Sequence, residues 1–220
     1  LKERTRQIAV RNLALAAEQA ALVAFLRERG IDALPYKGPA LSLYLYGDVS
    51  MRPCVDIDLL VPRDAAERTA GALAERGLSP LEAYNAAQQR IVAESLYESS
   101  FSAPSLPCRV EVHWDVVPRR IGLPHQVRAL WDRTISLKLG GKEIPFLAAD
   151  NLFLVLCLHN FKDNWYRCFH LTDVARMVAL GAVTDWAALT WVWMARPTPR
   201  SRALRATRPT ATRSDGCASL

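Results

Sequence analysis

From Thr5 to Arg29 apolar residues recur at helical spacing: Ile8, Leu13, Leu15, Ala16, Ala20, Leu22, Val23 and Leu26. The pattern predicts a long amphipathic helix closed by Gly30, with Arg27 and Arg29 in a last turn that favours positive charge. Leu34-Pro35-Tyr36 then reads as a short strand and Lys37-Gly38 as a turn. Pro39 is expected at the first position of a helix running through Tyr46. The loop Gly47 to Pro53 delivers Arg52 just ahead of Val55-Asp56-Ile57-Asp58-Leu59-Leu60-Val61, an apolar, β-branched run with strand character. Asp64 has the position of an N-cap, with Glu67 as its capping-box partner, for a helix through Arg76 that Gly77 stops.

The second half alternates in the same way. Residues 82–95 predict a helix, Ser95 to Ala103 a strand, Arg109 to Trp114 another strand, and residues 125–133 a helix. Ile135 to Leu147 predicts a hairpin turning at Gly140-Gly141. Helices follow from Leu152 to about Phe161, from Tyr166 to Leu180 before Gly181, and from Asp185 to Met194. The fold class is α+β: a small sheet flanked by helices, with a helical C-terminal part.

Chemistry concentrates at the D-x-D run. Alternation across a strand sends Asp56 and Asp58 out of one face, roughly 6–7 Å apart at the backbone. Two carboxylates on a buried face repel and lose hydration unless a cation neutralises them, and a hard divalent ion suits oxygen ligands. The competing reading has one Asp capping a turn and the other solvated at a strand end. A glycine opening a helix lets phosphate approach backbone N–H groups, so Gly38 with the Lys37 charge reads as a phosphate cradle. Glu111 and His113 share a face of their strand. Glu111 is equally readable as an edge acid paired with Arg109, and His113 as a hydrogen-bonded structural histidine. His159 and His170 lack the spacing of a ligand pair on one helix, and the leucine-rich stretch around them reads as core. Lys162, Trp165 and Arg167 either reach a phosphate or base or are solvated helix ends.

Composition narrows the class. The 220 residues are half hydrophobic, enough for a real core and one domain with a helical appendage. Five scattered cysteines without C-x-x-C spacing read as reduced thiols. Neither a membrane-length apolar run nor a signal core is expected, which points to a cytoplasmic protein. The net charge of +6 sits mostly in residues 196–220, where six arginines face Asp215 alone. That segment has almost no large apolar residues and predicts a disordered basic tail. The rest is close to neutral, so a nucleic-acid partner has little support.

The run Tyr36-Lys37-Gly38-Pro39-Ala40-Leu41, then Tyr46-Gly47-Asp48, Arg52 and Asp56-Ile57-Asp58-Leu59-Leu60-Val61 resembles the uncharacterised bacterial nucleotidyltransferases of the polymerase-β superfamily. Val110-Glu111-Val112-His113-Trp114 and Leu171-Thr172-Asp173-Val174-Ala175-Arg176 fit too, so the resemblance covers about residues 5 to 195. One departure is Lys37-Gly38 where the superfamily has Gly-Gly or Gly-Ser. The resemblance implies a catalytic core over residues 1–120 and a helical part over 121–195 that closes the cleft. It implies Mg²⁺ or Mn²⁺ held by Asp56, Asp58 and Glu111, with a nucleoside triphosphate held by Lys37, Gly38, Arg52 and His113. The reaction would move a nucleoside monophosphate to an acceptor that is a small molecule, protein or RNA, without a membrane partner. Two alternatives share the fold: a toxin-like or regulatory modifier of tRNA or protein, and a non-catalytic nucleotide-binding module.

Overall fold

A computed structural model describes residues 2–82, 96–106, 108–118, 127–187 and 189. The tail over 196–220 and all but the first residue of the helix expected over 82–95 lie outside these residues, as does most of the helix expected from Asp185.

Helix α1 (Lys2–Glu28) leads to strand β1 (Leu34–Pro35), helix α2 (Gly38–Tyr46) and strand β2 (Asp56–Leu60). Helix α3 (Ala66–Glu75), strand β3 (Ser79–Pro80), strand β4 (Glu98–Ser102) and strand β5 (Arg109–His113) follow. Strands β6 (Thr134–Leu139) and β7 (Lys142–Leu147), then helices α4 (Ala149–Lys162) and α5 (Cys168–Ala179), complete the order. The five-stranded sheet runs β1-β2-β5-β4-β3. Its centre is the parallel pair β2 and β5, and the other pairings are antiparallel.

Apolar side chains of β2 and β5 alternate with the acidic ones. Ile57, Leu59, Val110 and Val112 are buried with Leu15, Leu22 and Leu26 of α1 and Leu41 and Leu45 of α2. Each fully buried aliphatic side chain contributes about 1.5–3 kcal/mol of hydrophobic driving force. The hairpin β6–β7 turns at Gly140 and Gly141, both at positive φ, as a two-residue turn of this twist requires. Gly140 is doubly required, since a Cβ there would stand 2.9 Å from the Ala17 Cα of α1.

Polar residues of α1 fix the segments that carry the chemistry. Asn12 donates to the carbonyls of Val49 and Arg52, each at 2.6 Å, and so holds the loop before β2. Gln19 donates to the Lys37 carbonyl and accepts from the Ala40 N–H at 3.1 Å, satisfying a free donor at the start of α2. Arg52 Nε meets Asp173 Oδ2 of α5 at 2.8 Å, and Tyr46 donates to Asp173 Oδ1. Both members of the ion pair are buried. This contact ties the loop before β2 to the helical part.

Two local expectations are corrected and two hold in outline. Helix α3 starts at Ala66 after a 3-10 turn over Arg63–Ala65, with Ala65 in the cap position and no side-chain cap, so Asp64 does not open it. Residues Val127–Asp132 are helical as expected, in the tighter 3-10 form. Pro39 stands in the first turn of α2, directly after Gly38 at a left-handed φ. The span Thr5–Glu28 does meet the length and apolarity of a membrane crossing. One side of it packs in the core, however, and its buried Asn12 and Gln19 bind loop backbone. It works here as a core helix.

Removing one partner of a buried ion pair leaves the other charge stranded. Asp173→Ala is therefore expected to cost about 3–5 kcal/mol, read as a lower urea midpoint. A loss under about 1 kcal/mol would show the pair to be incidental.

Candidate active site

The parallel register sets Asp58 beside Glu111 and Leu60 beside His113, while β4 sets Glu98 opposite His113 and Ser100 opposite Glu111. Period-two alternation then puts Asp56, Asp58, Glu111, His113 and Glu98 on one face of the sheet. Lys37 and Gly38 arrive at that face from the start of α2. Gly38 has φ +65°, and a Cβ on it would lie 3.3 Å from the Asp56 carbonyl oxygen. Only glycine brings this turn so close to the acidic strand in that conformation. Pro39 has no N–H and the Ala40 N–H is held by Gln19. The donors that the turn has left for a ligand are the Gly38 N–H and the Lys37 ammonium.

Asp58 is the centre of the site and is 1% exposed. Its Oδ1 lies 2.6 Å from Lys37 Nζ and 3.2 Å from His113 Nε2. Burial would raise its pKa, but the Lys37 charge and the His113 hydrogen bond prevail and hold it well below the usual carboxylate range. Burial lowers the basicity of His113, yet the neighbouring Asp58, Glu111 and Glu98 carboxylates push it up to about 10, so the ring is a cation. Its Nδ1 stands 3.0 Å from Glu98 Oε2 but off the N–H direction, an ion contact rather than a hydrogen bond. Against its own burial, Glu98 is lowered to about 2 by this imidazolium. Asp56 differs: burial first, then the Asp58 charge, raises it to about 6.

Magnitudes explain the arrangement. Two unit charges near contact attract by about 4–6 kcal/mol at an effective dielectric constant of about 20. Desolvation removes several kcal/mol per ion, so the Lys37–Asp58 pair adds little net stability. What it gives is a neutralised, prearranged carboxylate.

Helix α4 completes the surroundings. Lys37 Nζ also lies 3.2 Å from His159 Nε2. Burial, with the Lys37 and Lys162 charges, keeps His159 neutral and far below the usual histidine range, so its Nε2 accepts from the ammonium. His159 Nε2 stands 3.3 Å from Asp163, Lys162 Nζ stands 3.4 Å from Asp163, and Lys162 donates to Tyr97 at 2.9 Å. Tyr97 in turn donates to Glu98 at 2.9 Å. Contacts run from Asp58 through Lys37 to His159, and from Asp163 through Lys162, Tyr97 and Glu98 to His113 and back to Asp58. They fasten the C-terminal end of α4 to the acidic face.

The structure thus brings together Lys37, Gly38, Asp56, Asp58, Glu111 and His113. His113 lies buried beneath the carboxylates, 3.2 Å from Asp58 Oδ1. Glu111 adjoins Asp58 in register and lies 3.6 Å from Arg109. Arg52 stands apart, buried against Asp173 and under the Phe169 ring. His159, Glu98 and Asp163 were not anticipated. Their one sequence signal is a His and an Asp four positions apart interrupting an apolar helix.

The carboxylates of Asp58 and Glu111 offer ligand oxygens that would suit a divalent cation, lying within 4.8 Å of each other. The protonated His113 ring beside them is no ligand but a counter-charge. The two carboxylates, with Asp56 two residues along the strand, supply hard oxygen ligands.

In the metal-free protein a carboxyl with a raised folded pKa binds its proton more tightly than in the unfolded chain. Stability then falls as pH rises from about 4 to 6 and stays reduced above that window. Asp56→Asn is expected to stabilise the metal-free fold above pH 6 by on the order of 1–3 kcal/mol, with no gain near pH 3. Thermal melts across pH check this, and a destabilised variant at pH 8 would contradict it.

A family model described as uncharacterised nucleotidyltransferase matches residues 1–206. No curated protein matches the chain. Among solved structures, the antibiotic-resistance factor ANT(2'')-Ia aligns with a TM-score of 0.50 and 13% identity, over 84% of this chain and 90% of that one. An antigenic nucleotidyltransferase-like protein from Paracoccidioides brasiliensis aligns with a TM-score of 0.50 and 16% identity, over 87% and 92%. At such identities the likeness is one of fold, the polymerase-β-like arrangement of a small mixed sheet with helices. Because the family match takes in the acidic sheet face, the lysine–glycine turn and nearly all the remaining chain, the protein belongs to the uncharacterised nucleotidyltransferase family.

Proposed function

We propose that the protein transfers a nucleoside monophosphate from a nucleoside triphosphate to an acceptor hydroxyl or phosphate, in a reaction dependent on Mg²⁺ or Mn²⁺. The observation that carries this reading is the register of Asp58 against Glu111, with Asp56 on the same face and the Gly38 turn in van der Waals reach of Asp56. Oxygen ligands and a phosphate-accepting turn meet at one point.

Asp56, Asp58 and Glu111 would hold the divalent ions, whose chemistry is to neutralise charge on the attacking and leaving oxygens. The chain's own residues do the rest. Lys37 and the Gly38 backbone bind the β and γ phosphates and orient the triphosphate for in-line attack. Glu111, at the partly open side of the carboxylate group, takes the proton of the acceptor. His113 stays beneath the face as a fixed positive charge that keeps Asp58 ionised and aligned. Arg52, clamped by Asp173, holds the loop before β2 in place and with it the start of the acidic strand. Its expected role at the pyrophosphate becomes one of positioning. Catalysis comes from placement and electrostatics, without a covalent nucleophile.

The test is transfer of label from α-labelled triphosphates, with Mg²⁺ or Mn²⁺, to acceptors in a lysate of the source organism. Wild-type protein is expected to label a product. Asp58→Asn is expected to lower the rate by about 100-fold or more, and Glu111→Gln to lower kcat more than it raises KM. A product labelled equally by wild type and Asp58→Asn would refute the assignment. Triphosphate binding without transfer to any acceptor, small molecules, proteins and RNA included, would favour a non-catalytic module.

A further inference from the structure

We propose that Lys37 is the resident cation of Asp58 in the nucleotide-free protein, keeping divalent metal out until a nucleoside triphosphate draws the ammonium away, and that His159 is the positioning residue that retains Lys37 at the site. The inference rests on the metal-dependent reading above and adds an order to it.

Four observations carry it. First, the ammonium lies on the same carboxylate that a metal would take: Lys37 Nζ is 2.6 Å from Asp58 Oδ1. Asp58 and Glu111 are the carboxylates of the one group of potential metal ligands among the described residues. A divalent ion arriving alone meets a unit positive charge at contact distance and must displace it. Second, Lys37 occupies the cap position of α2 beside Gly38, where a phosphate chain would arrive. A triphosphate offers the ammonium a stronger partner than a single carboxylate, and its departure exposes Asp58 Oδ1.

Third, the ammonium already has a second acceptor. His159 Nε2 lies 3.2 Å from Nζ, so Lys37 can release Asp58 while one of its three donors stays satisfied. Fourth, the opposite ring nitrogen of His159, Nδ1, is buried without a hydrogen-bond partner. All polar contact of the ring therefore falls on Nε2, which stands between Lys37 Nζ and the Asp163 carboxylate. The exchange involves no covalent change. The ammonium moves from carboxylate to phosphate, and the freed Asp58 carboxylate would then be available to hold a divalent cation.

The readout is Mn²⁺ binding, followed by electron paramagnetic resonance, with and without a methylene-bridged, non-hydrolysable triphosphate. In the absence of nucleotide, Lys37→Met is expected to bind Mn²⁺ about ten-fold or more tightly than wild type, a change equal to losing one like charge at the site. Nucleotide is expected to strengthen Mn²⁺ binding in wild type and to lose that effect in Lys37→Met. His159→Leu is expected to weaken the nucleotide-coupled binding, and His159→Gln, whose amide oxygen still accepts from Lys37, to restore it. A merely structural histidine would not give that split. If Lys37→Met fails to fold, the neutral Lys37→Gln replaces it in the same comparison. Equal nucleotide-free Mn²⁺ affinity in wild type and the Lys37 variant overturns the proposal while leaving the metal-dependent reading standing. Mn²⁺ binding absent from every variant, with or without nucleotide, overturns both.

Discussion

The ion pair between Lys37 and the buried carboxylate of Asp58 is the constraint on which the rest of the site depends. A carboxylate at 1% exposure is not tolerated ionised unless positive charge meets it, and here Lys37 and His113 both do so through one oxygen. Each of these cations then needs its own support. Lys37 is backed by His159, and His113 by Glu98, which draws in Tyr97 and Lys162. Neutralising one buried charge thus recruits β4, β5 and α4 to a single face of the sheet. These contacts are the structural consequence of placing Asp58 where it is.

The energetic character of the site follows. Lys37 and His113 roughly offset the cost of burying Asp58, whereas Asp56 remains a raised carboxyl at about 6, with burial and its neighbour both acting against its charge. A fold that keeps such a group accepts some lost stability at the place where a cation would restore it. This is the ordinary trade between stability and function at a binding site. The buried Arg52–Asp173 pair is of another kind. It lies away from the acidic face and joins the loop before β2 to α5, and so holds the helical part against the core.

Much of this was legible in the chain. The D-x-D strand, the glycine turn before it, the long first helix and the Gly140-Gly141 hairpin all depend on local periodicity or on backbone conformations that few residues adopt. Where local signals failed, tertiary contacts had prevailed. Asp64 has good cap chemistry, yet the chain takes a 3-10 turn there and starts the helix at Ala66. Pro39 sits at a helix start as expected, and Gln19 of α1 satisfies the Ala40 N–H there, a contact from a distant segment. His159 looked like core and is buried, but its ring is turned to Lys37 across 122 residues of sequence. The Arg52–Asp173 pair likewise spans 121 residues. No spacing rule encodes such meetings, since they depend on which faces pack after the sheet forms. Glu111 lay between these cases. Its strand was readable, but its place beside Asp58 depends on a parallel register between segments far apart in sequence.

The position of Mn²⁺ in a crystal grown with a non-hydrolysable triphosphate, located by anomalous scattering, tests the central claim most directly. The account predicts anomalous density bounded by Asp56, Asp58 and Glu111, with the triphosphate lying over Gly38 and Lys37 moved from Asp58 to the phosphates. Nucleotide bound elsewhere, or Lys37 still on Asp58 with no metal at the carboxylates, would contradict it.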